Sequence, residues 1–208
     1  MDGVIVDSEP RHERAVREVL EEIGYGRSHG LRISDYIGRS DREVWRDFIV
    51  RHHPPQSLEQ LLAMKRERTV EILRRDQPLF PGVFELIQRL AEDYRLAVAS
   101  GSEREVVEAV LEMRDLRRFF SVVVTGSEVS RGKPEPEIFL EAARLLGVAP
   151  ANCWVIEDSR PGIAAARSAG MRVLALTHTH PAAELQAATC VVANYAEVQN
   201  HLLDTPSS

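Results

Sequence analysis

Arg95-Leu96-Ala97-Val98-Ala99-Ser100-Gly101-Ser102 is an apolar run that stops abruptly in two hydroxyls and a glycine. Leu96 to Ala99 offers apolar side chains to both faces, which suits a parallel strand covered by helices on each side. Helical spacing takes over from Glu103 to Met113. Strand, polar turn and helix in that order form the repeating unit of a parallel sheet. The unit recurs downstream. Ser121–Thr125 predicts a strand, Pro136–Leu146 a helix, Cys153–Glu157 a strand, Gly162–Ala169 a helix and Arg172–Leu176 a strand. A short apolar run, Cys190–Ala193, and a helix to about Leu203 follow, and Thr205–Ser208 reads as a loose tail.

The pattern differs upstream. A helix is expected at Val83–Glu92, just after Pro81-Gly82. Before that come three helices with no strand between them. Pro10–Ile23 repeats Ala15, Val16, Val19, Leu20 and Ile23 at helical spacing and stops at Gly24. Ser40–His52 has Ser40 as cap and Glu43 at the capping-box position, and His53-Pro54-Pro55 breaks it. Ser57–Arg75 is the third. The expected architecture is an α/β, Rossmann-like doubly wound parallel sheet formed by residues 1–9 and 81–208, with residues 10–80 inserted as an α-helical cap.

Composition narrows the partners. A net charge of −6 provides no basic excess for neutralising nucleic-acid phosphates or an anionic membrane surface. No apolar run reaches the roughly 20 residues of a membrane span, and Asp2, Asp7 and Glu9 do not fit a signal peptide. Two cysteines, Cys153 and Cys190, make no disulfide framework and fit a reducing, cytoplasmic setting; both lie in apolar runs and are expected to be buried and inert.

Sites in open parallel sheets lie beyond the carboxyl ends of the strands. There the sequence places Ser100-Gly101-Ser102, Gly132-Lys133-Pro134 and Glu157-Asp158-Ser159. Adjacent carboxylates at a strand end repel each other and call for a cation, and oxygen-only ligands suit magnesium. A solvated turn with Asp158 capping the next helix is the plainer alternative. Lys133 could reach a phosphate or a developing negative charge, or be a surface lysine in a turn. Ser100, Gly101 and Ser102 offer hydroxyls and open backbone donors before a helix, where phosphate is attracted; Ser102 would also serve as a simple N-cap.

Together these pieces resemble one family. Asp2-Gly3-Val4-Ile5-Val6-Asp7-Ser8-Glu9, Ser100-Gly101-Ser102, Gly132-Lys133-Pro134-Glu135-Pro136 and Glu157-Asp158-Ser159-Arg160-Pro161-Gly162, with Phe80-Pro81-Gly82-Val83 where the insert rejoins the core, are similar to the motifs of haloacid dehalogenase (HAD) superfamily phosphatases with a helical cap. The resemblance implies magnesium-dependent hydrolysis of a small phosphate monoester, of sugar-phosphate or phosphoglycolate type, through an aspartyl-phosphate. Asp2 would be the acid/base and its backbone carbonyl a metal ligand. Ser100 would bind the phosphoryl group, helped by Gly101 and Ser102. Lys133 would neutralise phosphate and nucleophile, and Asp158 with Glu157 would hold magnesium. The implied partner is a small phosphorylated metabolite, the chain itself being a monomer or weak homodimer.

The resemblance departs at the start. The family's first signature reads Asp-x-Asp, and Met1 occupies its x, so the nucleophile and the strand carrying it would lie upstream of Met1. In the family that strand is central, between those ending at Ser100 and Glu157. The expectation is a start site assigned too late, with this chain inactive as it stands; a true inactive phosphate-binding relative is the alternative. In the cap, Arg39 and Arg42, within or just beyond Tyr36–Asp41, are candidates for a second anionic or sugar group, and His12 resembles a histidine shared by sugar-phosphate phosphatases and β-phosphoglucomutases. Those mutases also use a lysine late in the cap. The stretch Thr69–Leu73 contains none, which favours hydrolysis over mutation. A haloacid dehalogenase proper fits less well, because Glu157-Asp158 implies a metal.

Overall fold

The computed structural model describes residues 1–26, 30 and 41–203. It divides into two compact units, Met1–Asp7 with Gln77–Ser208, and Ser8–Asp76.

The smaller unit is helical: α1 (Glu9–Glu22), α2 (Asp41–His52) and α3 (Leu58–Asp76). Its core is the stripe anticipated on α1, Val16, Val19 and Leu20, packed with Val44, Trp45 and Phe48 of α2 and Leu61 of α3. Arg68 of α3 ties back to Glu18 and Glu22 of α1 at 3.0 and 2.9 Å. Those pairs are partly exposed and contribute little beside the apolar burial. The Ser40 cap lies outside the described residues.

The larger unit alternates strands and helices: α4 (Val83–Asp93), β1 (Leu96–Ser100), α5 (Arg104–Glu112), β2 (Phe120–Thr125), α6 (Glu137–Leu146), β3 (Trp154–Glu157), α7 (Arg160–Ser168), β4 (Arg172–Leu176), β5 (Cys190–Val192) and α8 (Tyr195–Leu203). Every strand pairing is parallel, and most predicted ends fall within a residue or two. Strands with few polar positions must be covered on both faces, and Val98, Val124, Val155, Val173 and Leu174 are all buried.

The parallel sheet is in two parts. Among the described residues β1 pairs only with β2, and β3, β4 and β5 form a separate sheet. Between the facing edges of β1 and β3 lies a largely apolar cavity of about 350 Å³, lined among others by Val98, Val155, Ile156, Ile87 and Phe139 and reached by Met1. No ladder joins the two edges, so the sheet is interrupted there. The expectation of buried cysteines is corrected: Cys153 and Cys190 are half-buried, because they stand at or just before strand starts rather than in strand centres. Burial still pushes the Cys153 thiol up, away from thiolate reactivity. Among the described residues no helix is long and apolar enough to cross a membrane.

Candidate active site

Three loops at the carboxyl ends of β1, β2 and β3, together with the N-terminal segment, carry the predicted residues. Met1 to Val6 forms a tight turn in which the amides of Val4, Ile5 and Val6 all point to the Met1 carbonyl at 2.7–3.3 Å. Gly3 takes φ +67°, a conformation that costs glycine little. A Cβ there would meet the Asp158 carboxylate at 1.8 Å, so this turn and the end of β3 are in direct contact.

The turn delivers Asp2 to the loop after β1. Ser100 and Ser102 both donate hydroxyl hydrogen bonds to Asp2 Oδ2, at 3.2 and 2.9 Å, and the Ser102 amide donates to Ser100 Oγ at 3.2 Å. Ser100 is 1% exposed. The helix N-cap is Glu103, with no side-chain cap bond, so Ser102 faces the carboxylate instead of capping α5. Gly101 is exposed beside them.

Lys133 is not a solvated turn lysine. It forms an ion pair with Glu157 Oε1, and the side chains are 17% and 6% exposed. Glu157 Oε2 accepts from the amides of Asp158 and Ser159 at 3.1 and 3.2 Å and from the Ser159 hydroxyl at 2.9 Å. Burial alone would raise the Glu157 carboxyl, but the Lys133 ammonium and the hydrogen bonds from Lys133 and Ser159 hold it below the usual carboxylate range. Asp158 behaves oppositely: burial and the neighbouring Glu157 charge raise it, against hydrogen bonding from Thr179 and the His180 charge. Asp158 does not cap α7. Ser159 does, accepting from the Gly162 amide.

These positions bear on magnesium. Among the described residues no three His, Cys, Asp or Glu side chains cluster as a metal cage. A hard cation that keeps waters and shares a substrate phosphate needs only one or two carboxylates and a carbonyl. Asp158, set against the Asp2–Gly3 peptide with Glu157 beside it, suits that modest donor set.

His12 belongs to a polar cluster within the helical unit. Lys65 of α3, 4% exposed, donates to His12 Nδ1 and to Asp41 Oδ2, both at 2.7 Å. An ammonium has no acceptor, so His12 Nδ1 accepts. The helical unit therefore holds a buried lysine, although the stretch Thr69–Leu73 contains none. Thr69 Oγ1 donates to the Lys65 carbonyl at 2.8 Å, so Lys65 stands one helical turn earlier on the same face. Its signal was a lone lysine at an apolar-stripe position. Arg42 is exposed and pairs with Glu59 at 3.0 Å. Arg39 lies outside the described residues. The loop after β4 was also missed. His178 Nδ1 donates to the Gly3 carbonyl at 3.2 Å, and the Thr179 hydroxyl donates to Asp158 Oδ2.

A parallel α/β fold with a carboxylate, two hydroxyls and a buried Lys–Glu pair at its strand ends defines a hydrolase-like core, and comparison with known proteins agrees. The pattern of the haloacid dehalogenase-like hydrolases matches residues 1–176, and the chain belongs to that family. It is 34% identical over 216 residues to a probable pseudouridine-5′-phosphatase of Drosophila melanogaster, covering 100% of this chain and 92% of that protein. It is 32% identical over 188 residues to hexitol phosphatase B of Escherichia coli K12, covering 89% and 83%. A solved structure, a β-phosphoglucomutase assigned as putative from Thermotoga maritima, superposes with a TM-score of 0.79 at 29% identity over 98% of this chain and 97% of that one.

Proposed function

We propose that this hydrolase is a magnesium-dependent phosphatase of a small phosphate monoester, of sugar-phosphate or phosphoglycolate type. The observation that carries the reading is Asp2 held by Ser100 and Ser102 in the same compact unit as the buried Lys133–Glu157 pair. The phosphatases among its relatives support the substrate class.

The attacking carboxylate belongs to a residue upstream of Met1, on a strand seated between β1 and β3; the parallel, one-sided edges and the apolar cavity between them support this. Its oxygen attacks phosphorus and the ester P–O bond breaks. Asp2 gives a proton to the leaving oxygen, then takes one from the water that cleaves the aspartyl-phosphate. Ser100, with Gly101 and Ser102, hydrogen-bonds the phosphoryl oxygens. Lys133 neutralises charge that would otherwise repel an anionic nucleophile from an anionic phosphate. Asp158 and Glu157, with the Asp2 carbonyl, would hold magnesium, which supplies further charge neutralisation when bound.

The test is a phosphomonoester panel assayed with this chain and with a form extended upstream in the same reading frame. Turnover is expected only in the extended form, lost to EDTA and restored by magnesium. Equal activity of the two forms would sink the upstream nucleophile, and full activity of a Lys133→Ala variant would sink the constellation.

A second reading, a phosphosugar mutase of β-phosphoglucomutase type, is favoured by one observation: the buried Lys65 bonded to His12. It predicts turnover of sugar phosphates only with a bisphosphate primer. Primer-independent release of inorganic phosphate excludes it.

A further inference from the structure

Three half-buried rings, Phe80, His178 and Tyr195, stack against the Met1–Val6 turn. The Phe80 and His178 centroids are 4.4 Å apart at 34°, and His178 meets Tyr195 edge-on at 5.2 Å. Each of the three residues bonds a successive carbonyl of that turn. His178 Nδ1 reaches the Gly3 carbonyl at 3.2 Å, the Tyr195 hydroxyl the Val4 carbonyl at 2.6 Å, and the Phe80 amide the Ile5 carbonyl at 3.1 Å. A carbonyl only accepts, so His178 must carry its proton on Nδ1. Burial pushes the Tyr195 phenol up, which keeps its donor in place.

The turn is short, so its backbone position sets the Asp2 side chain. Gly3 follows Asp2 directly, sits at positive φ and lies against Asp158.

We propose that His178 is a positioning residue: its Nδ1–H bond to the Gly3 carbonyl, locked by the Phe80 and Tyr195 rings, places the Asp2 carboxylate against Ser100 and Ser102. This rests on the reading of Asp2 as the acid/base. His178 touches neither substrate nor reacting atom in that reading; it acts through the backbone. Pre-organisation of this kind is what a catalytic carboxylate on a loop requires, because small misplacements cost rate steeply.

The experiment uses ¹⁵N- and ¹³C-labelled protein. Long-range ¹H–¹⁵N spectra of the unmodified chain are expected to show His178 as the Nδ1–H tautomer. An Nε2–H tautomer overturns the proposal without recourse to any variant. His178→Phe keeps a ring in the stack and removes the donor; it is expected to move both the Gly3 carbonyl and the Asp2 carboxyl carbon resonances. His178→Asn returns a donor at the same place and is expected to restore the Gly3 carbonyl. Unmoved Asp2 and Gly3 resonances in the Phe variant, or no recovery with Asn in a variant that still melts cooperatively, overturn it. If the spectra behave as expected and no phosphomonoester is turned over by any form of the protein, the phosphatase reading fails and the placement of Asp2 by His178 stands.

Discussion

Lys133 and Glu157 carry the largest single-residue consequence. An ammonium and a carboxylate that are both largely buried are costly to separate, since the survivor keeps its desolvation penalty. Lys133→Ala is expected to lower unfolding free energy by about 3 kcal/mol at neutral pH, read from urea midpoints. The pH dependence follows from the sign of the shift. The Glu157 carboxyl is lowered on folding, so its contribution is present above the ordinary value of 4.5 and is lost as pH falls through the folded-state value. The gap between Lys133→Ala and the unmodified chain should therefore narrow below pH 4.5. A constant gap down to pH 3 would mean that Glu157 is not the partner that matters. Asp158 runs the other way: its carboxyl is raised, so its contribution is present at low pH and declines as pH rises through the folded-state value.

At the scale of elements, the junction of β3 and α7 is packed with no room to spare. A Cβ on Gly162 would come within 2.0 Å of the Glu157 carboxyl carbon. That carboxylate is pinned by Lys133, two amides and a hydroxyl and cannot swing aside. Gly162→Ala should cost about 1–3 kcal/mol despite alanine's better helix propensity. A rise in the urea midpoint would show that the carboxylate is free to move. In the helical unit, Trp45 of α2 is fully buried and its indole N–H has no hydrogen-bond partner among the described residues. Trp45→Phe removes that unsatisfied donor while keeping most of the apolar volume, so it should cost no more than about 1 kcal/mol. Trp45→Ala should cost about 3–5 kcal/mol. Similar losses for both variants would show that the indole N–H is satisfied in solution.

For the whole molecule, the dominant feature is the interrupted sheet. Cavities in apolar cores cost about 24 cal/mol per Å³, so filling about 350 Å³ between β1 and β3 should be worth several kcal/mol even with part of it open to solvent. The in-frame extended form should therefore melt well above this chain, by about 10 °C or more. Amides on the facing edges of β1 and β3 should gain hydrogen-exchange protection in it. Unchanged melting and unchanged protection of Val98 and Val155 would show that no strand enters there. Stability is the readout, so the result is independent of any assay of turnover.

The sequence by itself determined the order of elements and the loops that carry chemistry. Apolar runs ending in Ser100-Gly101-Ser102 and Glu157-Asp158-Ser159 can be strands only if covered on both faces, and that condition already implies the parallel α/β core. It also marked Ser100, Lys133 and Asp158 as one group, because parallel strands present their carboxyl ends on the same edge; Asp2 joined them only through the family resemblance. What each residue bonds to was decided only in three dimensions. Ser102 binds Asp2 rather than capping α5, and Ser159 rather than Asp158 caps α7. Lys65 drew no reading from the sequence, and helix packing buries it beside His12 and Asp41. His178 lies 175 residues from Gly3 and carried no local signal. The physical reason is common to all of these. Periodicity reports which face of an element is apolar, and it is read within one window of chain. Hydrogen bonds and ion pairs between distant windows depend on how those faces pack, and one-dimensional pattern holds no record of that.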